Sequence, residues 1–572
     1  MRIHLILLLL SILFASAASG AVFRVGSDVD CTHTTLMAAL TAAVANGAGR
    51  DEIRLRTDAQ QTNVAYSITA TDVTIAGGYA TCSSDSPEAA SQTPLFGNHQ
   101  NSVVTIGNAR QVELRRLSIA NGGNVGVVQG NFVTGGGVNL VSGVVELYSV
   151  AAVSNQARFG GGLAVSGTGS VMVVHGDVLG SRIMTNRATL GGGIYVGPGG
   201  TLRLENDGVT LADNIANGSA TATDNSGGGI YAIGTPSAQT TIEATWLEAD
   251  PDLPMAVPHG LIVSGNNSSG YGGGMSLIGN AQFIGHEVTI RNNVAALYGG
   301  GLWIYGGGYA GLARRPSAFP AWLPVCEGRY GCNRLTGNVS AQGGGILVMH
   351  GRIDLAQILI ADNRSTNGGG AAIHTGSIAG VPSPVNRIHV DSAVLVRNQC
   401  SGTPTTNAIC ATMNAGAGSN QVDVQHATFA DNVLGTTISA SRAEIYTGPS
   451  NLPLRLRSSI IEPAVGVSAV WANGSLEADC VMSSQTVGNR ALVRAIPYAY
   501  VSRASGDYRP LDGDTAIDGC DGTQLLAELP TTPDMRIHGS VDHPGVPNRF
   551  GAASTFDIGA FETTPMLRDG FE

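Results

Sequence analysis

Three consecutive glycines followed by an apolar run, with four residues separating them from a preceding asparagine, recur through this chain. NQARFGGGLAV (155–165) returns as NRATLGGGIYV (186–196) and as NVSAQGGGILV (338–348). Triple glycines that open a repeat begin at 135, 160, 191, 227, 272, 299, 343 and 368, so their successive spacings are 25, 31, 36, 45, 27, 44 and 25 residues; one more, 306–308, falls inside the repeat that begins at 299. A second phrase, an apolar residue three places before an asparagine, accompanies them: IMTN (183–186), LADN (211–214), VSGN (263–266), IRNN (290–293), LTGN (335–338) and IADN (360–363). LVRN (395–398) and FADN (429–432) continue it after the glycines fade. Between the phrases lie short alternating runs such as GGIYV, TLRLEN and VTLADN. Three short strands per repeat without helical periodicity is the sequence form of a parallel β-helix, each repeat being one coil.

Stacked coils put equivalent turn residues about 4.8 Å apart. At that spacing an asparagine tolerates left-handed backbone, and its amide bonds its own copy in the next coil. The glycines permit positive φ and close backbone approach. The phrase is therefore conformational before it is chemical. A phosphate loop needs one glycine-rich turn opening a helix, whereas this one recurs before strands.

Length does not divide such a chain into ordinary domains, because a solenoid of 572 residues is one continuous body. All 31 lysine-plus-arginine residues are arginine, and the net charge of -11 argues against a nucleic-acid partner, whose phosphates demand a basic surface. Residues 1–21 read as an export signal: Arg2, an apolar Leu5–Phe14 too short to span a bilayer, then the small residues of ASAASGA. Cleavage is expected after Ala21, with Ala17 as the alternative, and no later run is long and apolar enough for a transmembrane helix. Eight cysteines in an exported chain read as disulfides. Proximity pairs Cys31 with Cys82, Cys326 with Cys332, Cys400 with Cys410 and Cys480 with Cys520. Metal binding is the rival reading, without a C-x-x-C pair or histidine cluster to support it.

The I/L/V/F-x-x-N and GG[ILMV] phrases resemble those of polymorphic outer-membrane proteins. SGDYRPLDGDTAIDGCD (505–521) followed by DIGAFE (557–562) resembles the end of the secreted β-helix proteins called choice-of-anchor Q. DCTHTTLMAALTAAVANGAGRDEIRLRTD (30–58) is similar to the cysteine-led helical cap that opens such chains. The resemblance covers most of 22–562. It implies an all-β, single-stranded right-handed parallel β-helix, a pectin-lyase-like solenoid with an N-terminal cap. Residues 22–100 would hold the cap, with a helix near 34–46, and the first coils. Coils would run from 101 to 500, regular to about 375 and looser beyond. Residues 501–562 would close the solenoid, and 563–572 would be an exposed tail. Polymorphic outer-membrane proteins end in a membrane barrel, for which this chain leaves no room, so self-insertion is not expected.

Enzymes of this fold, such as pectate lyases and polygalacturonases, work with aspartates on one face. Asp213, Asp362 and Asp431 precede the asparagine of their turns and could line a common edge, although aspartate there also simply suits a turn. A glycosidase needs two carboxylates about 5–10 Å apart. His350 and His374 follow consecutive glycine strands and are expected to stack, as a proton-transfer or metal pair or by coincidence. No G-x-S-x-G, H-E-x-x-H or Walker phrase occurs, and no catalytic residue, metal ligand or cofactor is assigned.

Two coils carry insertions, 244–260 and 309–332, which should leave the same corner with one coil between them. They bring Trp246 and Trp322, while Trp303 and Tyr305 lie on the intervening wall. Exposed aromatics on solenoid loops suit sugar rings; packing onto the solenoid flank is the alternative. The expectation is an exported monomer at the cell surface or beyond it, adhesin-like or polysaccharide-contacting and not an enzyme. A polysaccharide lyase or glycoside hydrolase on the same fold is the alternative.

Overall fold

The computed structural model describes residues 20–510 except 48, 70, 124–133, 177–178, 206–207, 219–225, 246–259, 313–332, 378–384, 402–408, 417–418, 436–441, 450–451, 489–491, 494–497, 499 and 504–506, together with 520–521 and 555–556. The chain is a parallel β-helix. One coil shows the plan. Ile194–Val196 is a strand of a 13-stranded second wall, Thr201–Glu205 and Thr210–Ala212 lie in a 25-stranded long wall, and Ile215–Ala216 in a 9-stranded narrow wall, counted among the described residues. Gly227–Gly229 then lead back to Ile230–Gly234, one strand further along the second wall. Leu163, Ile194, Ile230, Met275, Leu302 and Ile346 pair in one unbroken line. Repeat length varies while this register holds, so the corners absorb every extra residue.

Alternation fixes which side chains turn inward. Ile194, Val196, Leu202, Leu204 and Leu211 are fully buried, while Tyr195 and Arg203 face outward. The interior forms one continuous apolar column from Val25 to Val487. Each aliphatic side chain there contributes about 1.5–3 kcal/mol over exposure. A single coil has nothing to pack against, so that stabilisation exists only in the stack.

The recurring asparagine is inside, not on the rim. Asn155, 186, 214, 266, 293, 338, 363, 398 and 432 are buried in file. Asn214 shows the pattern. Its Oδ1 accepts from the backbone N–H (3.1 Å) and Nδ2 (3.0 Å) of Asn186, and its Nδ2 donates to Asn266 Oδ1 (2.9 Å) and Ile183 O (2.9 Å). All four hydrogen-bonding capacities of the amide are filled, which is what a buried amide requires. The left-handed residue is the one before the asparagine, a correction to the sequence expectation: φ is 54° at Thr185, 55° at Asp213, 59° at Asp362 and 54° at Arg397.

In the triplet 191–193 each glycine has its own reason. Gly191 has φ +66°. Gly192 does not need positive φ, but a Cβ there would stand 2.6 Å from the Ile215 carbonyl carbon and closer still to Gly228 O. At Gly193 a Cβ would meet Gly229 O at 2.7 Å and the Asn214 amide at 3.0 Å. The glycines let the neighbouring backbone and the asparagine file pass.

The N-terminal end is capped by a helix. Helix Leu36–Asn46 starts at Thr35, whose Oγ1 accepts from Ala38 N–H, and buries Leu36, Ala39, Leu40 and Ala43 in the same core. This covers the first coil, whose strand Val22–Val25 pairs with Glu52–Leu55. Cys31 is bonded to Cys82, and Cys400 to Cys410. Cys480 is also disulfide-bonded; the side chain of Cys520 and both Cys326 and Cys332 lie outside the described residues. Parallel pairing of the long wall continues past 375. The two long-wall strands, already fused as Arg352–Ala361 with Gln357 left-handed, stay fused as Asn386–Val396 and Asn420–Ala430 with Ser392 and His426 left-handed, while the glycine phrase is lost and, among the described residues, the narrow wall ends at Val433–Leu434. Beyond them, strands Tyr500–Ser502 and Asp507–Pro510 pair antiparallel. The export signal, most of 511–562 and the tail lie outside the described residues, among which no helix is long and apolar enough to cross a membrane.

Candidate functional site

The two insertions do share a corner. The strands they follow, Thr240–Thr245 and Tyr309–Leu312, flank Ala281–Gly285 in the long wall, with Ala244, Gly285 and Leu312 in register. Trp246 and Trp322 themselves lie outside the described residues. Trp303 and Tyr305 stand elsewhere, on the outer face of the second wall.

That face carries an aromatic ladder. Successive coils place Tyr195, Tyr231, Ser276, Trp303 and Leu347 in one outward row, because parallel register repeats the same position every strand spacing. Tyr195 and Tyr231 stack at 5.9 Å between ring centres, Tyr271 and Trp303 at 4.4 Å, and Trp303 and Tyr305 at 5.2 Å. The ring faces are thus spent on one another, and ring edges and hydroxyls are what remain for solvent. Trp303 is 2% exposed, and its indole N–H is buried with no hydrogen-bond partner. Tyr298, Tyr305 and Met349 around it are half-buried. Burial raises the Tyr271 phenol, and the phenols of Tyr298 and Tyr305 nearby raise it further.

The same wall is free of charge over most of its length. Its strands from Tyr66–Thr69 through Cys410–Ala415 contain no aspartate, glutamate or arginine. Their one imidazole in the outward row, His374, is pushed down to about 4 by burial and is neutral at pH 7. It pairs with Leu347 and not with His350, which lies in the following turn with φ 59° and donates its N–H to Asn386 Oδ1. The expected histidine stack does not form, because Leu347 and His374 occupy equivalent positions and His350 is three residues further on.

The charges have gone to the long wall. Here the coils align Tyr148, His175 and Glu205. His175 lies flat on Tyr148, with centroids 3.9 Å apart and planes at 4°. Its Nδ1 meets the Glu205 carboxylate, and its Nε2 is 3.6 Å from Glu146. Glu146 accepts from Tyr148 Oη (2.5 Å) and Gln111 Nε2 (2.7 Å). Burial raises the Glu146 carboxyl, but these donors and His175 outweigh it and hold it below its ordinary value. Two carboxylates beside an imidazole are a group that can move a proton. Sequence reading missed it, because Tyr148, His175 and Glu205 follow their glycine triplets at 13, 15 and 14 residues. Unequal turns hide the common register.

The aspartates of the asparagine turns do not make a second acid site. Four coil steps separate Asp213 from Asp362, about 19 Å. Arg397, one coil after Asp362, binds both its carboxylate oxygens at 2.9 and 2.8 Å. Asp431 is taken by Arg503 and by Tyr508 Oη (2.7 Å), from the antiparallel hairpin of strands Tyr500–Ser502 and Asp507–Pro510. Among the described residues no group of three or more His, Cys, Asp or Glu could hold a metal ion. No protein-family model matches the chain, and no curated protein matches it at a significant level.

Proposed function

We propose that this is an exported surface or extracellular β-helix protein that contacts polysaccharide without cleaving it. The observation that carries the reading is the outer face of the second wall, long, straight, uncharged and edged by aromatic rings and hydroxyls. Tyrosine and tryptophan offer apolar area with a polar tip, which suits a polyhydroxylated chain. The disulfides suit an oxidising compartment. Ala21 already serves the first coil, its N–H donating to Asp51 Oδ1 (2.7 Å) and its carbonyl accepting from Glu52 N–H, which favours export cleavage after Ala17 over cleavage after Ala21.

A polysaccharide lyase or hydrolase is the second reading, and the Glu146–His175–Glu205 group favours it. Against it, His175 Nε2 is buried, and Glu146 is occupied by Tyr148 and Gln111. One experiment separates the two. Purified protein is incubated with a panel of polysaccharides, and binding is scored beside released reducing ends and unsaturated uronides. Binding without release supports the proposal. Release that disappears in His175→Ala establishes the enzyme instead.

A further inference from the structure

Resting on that reading, we infer that the second wall takes a neutral glycan and excludes polyuronates, gripping it at a subsite around Trp303. Two independent observations carry this. The first is the segregation of charge: one wall holds arginines and carboxylates in outward rows, as at Arg203 and Glu243, while the other has none from Tyr66 through Ala415. A polyanion needs fixed cations, best of all the forked guanidinium, to offset its desolvation. The strands of the second wall offer none, and Arg158, beside the Tyr195 end of the ladder, lies over the Phe159 ring; a chain of uronates lying along the strands toward Trp303 would lose its hydration and gain no counter-charge. A neutral sugar chain loses only hydroxyl hydration, which phenols and an indole N–H replace.

The second observation is the unpartnered Trp303 N–H. Buried polar groups are nearly always paired, and an orphan calls for an explanation. This one lies between the buried Tyr271 and the half-buried Tyr305, both stacked on the indole, with the half-buried Tyr298 tilted against Tyr271. A sugar hydroxyl that pairs with this N–H must displace part of the side-chain cluster around it, in which Tyr298, Tyr305 and Met349 are the partly exposed members. Phenol groups both donate and accept, so Tyr298 and Tyr305 can hold the neighbouring hydroxyls of that sugar in either sense. The electrostatic face of the site is then blank, and its selectivity is by hydrogen-bond count and exclusion of charge.

Affinity electrophoresis tests this with soluble glucan, mannan and galactan against polygalacturonate and alginate. The expected result is retardation by at least one neutral polymer and by neither polyuronate, unchanged from low salt to about 0.5 M, because no ion pair is there to be screened. Tyr298→Phe and Tyr305→Phe should each weaken binding roughly three- to tenfold, the effect of one or two lost hydrogen bonds, without moving the thermal transition. Trp303→Phe, which keeps a ring and deletes the donor, should do the same or more. Polyuronate binding equal to or tighter than neutral binding overturns the inference and leaves the polysaccharide reading standing. Neutral binding that survives all three substitutions overturns the subsite. Failure to bind any polymer of either class overturns the underlying reading.

Discussion

At the scale of single residues, the asparagine phrase is constant because a buried amide has no tolerance. Replacement leaves two donors and two acceptors of adjacent coils unmatched. The left-handed residue before it varies among Ser, Thr, Asp, Gly, Asn and Arg, because only its backbone is used. Sequence alone credited asparagine with that backbone role, since a constant residue draws the explanation to itself. Gly192 tests the close-approach account. Gly192→Val should lower stability by at least about 2 kcal/mol in denaturant unfolding. Gly107→Ala, where a Cβ meets nothing within 4 Å, should stay within about 0.5 kcal/mol. Equal effects would mean that the glycines are not set by neighbouring backbone.

Glu444 is the second residue-scale case. The asparagine file ends on it, with Asn432 Nδ2 donating to Glu444 Oε2 at 3.0 Å and Thr412 Oγ1 donating to the same oxygen at 2.7 Å. Burial pushes its carboxyl up to about 7, with Glu462 adding to the shift. A carboxyl raised in the folded state stabilises most below its unfolded value near 4.5, and that contribution is lost as pH rises through about 7. The loss is up to about 3 kcal/mol. Glu444→Gln keeps an acceptor oxygen and cannot ionise. Its thermal transition should match the wild type near pH 5 and exceed it by pH 8. Parallel pH profiles for the two proteins would show that Glu444 does not titrate in this range.

Among elements, the cap and the walls were the most legible parts of the sequence. The cysteine-led segment 30–58 announced the start, and the observed helix Leu36–Asn46 falls inside the expected span of 34–46. The later coils were less legible, because the glycine triplets that marked earlier corners are absent although the strands lengthen. Of the aromatic wall, Trp303 and Tyr305 could be placed from their glycine triplet. Tyr271 and Tyr298 each stand immediately before a triplet and were equally placeable, but sequence reading passed them over. The Cys31–Cys82 disulfide closes 51 residues and ties the turn before the cap helix to the corner after Val73–Tyr79. Cys31→Ser with Cys82→Ser should cost about 2–4 kcal/mol, and limited proteolysis should cut first before residue 60. Cutting spread evenly along the coils would mean that the cap does not unfold first.

For the whole molecule, stacking in parallel register turns any bias at one sequence position into a stripe running the length of the solenoid. Tyrosines recurring after glycine triplets become a wall of rings, and charges confined to the strands that follow become a separate charged face. The fold thereby makes two surfaces of opposite character, each rigid because its outward rows share backbone with the core. The functional proposal assigns ligand contact to the uncharged one.

Hydroxyl-radical footprinting with and without the tightest-binding polysaccharide reads that assignment directly, since oxidation reports side-chain exposure residue by residue. The account predicts protection of Tyr298, Tyr305 and Met349 on the second wall and unchanged oxidation of Tyr148 and His175 on the long wall. Protection of Tyr148 and His175, with the second-wall residues unchanged, would contradict it.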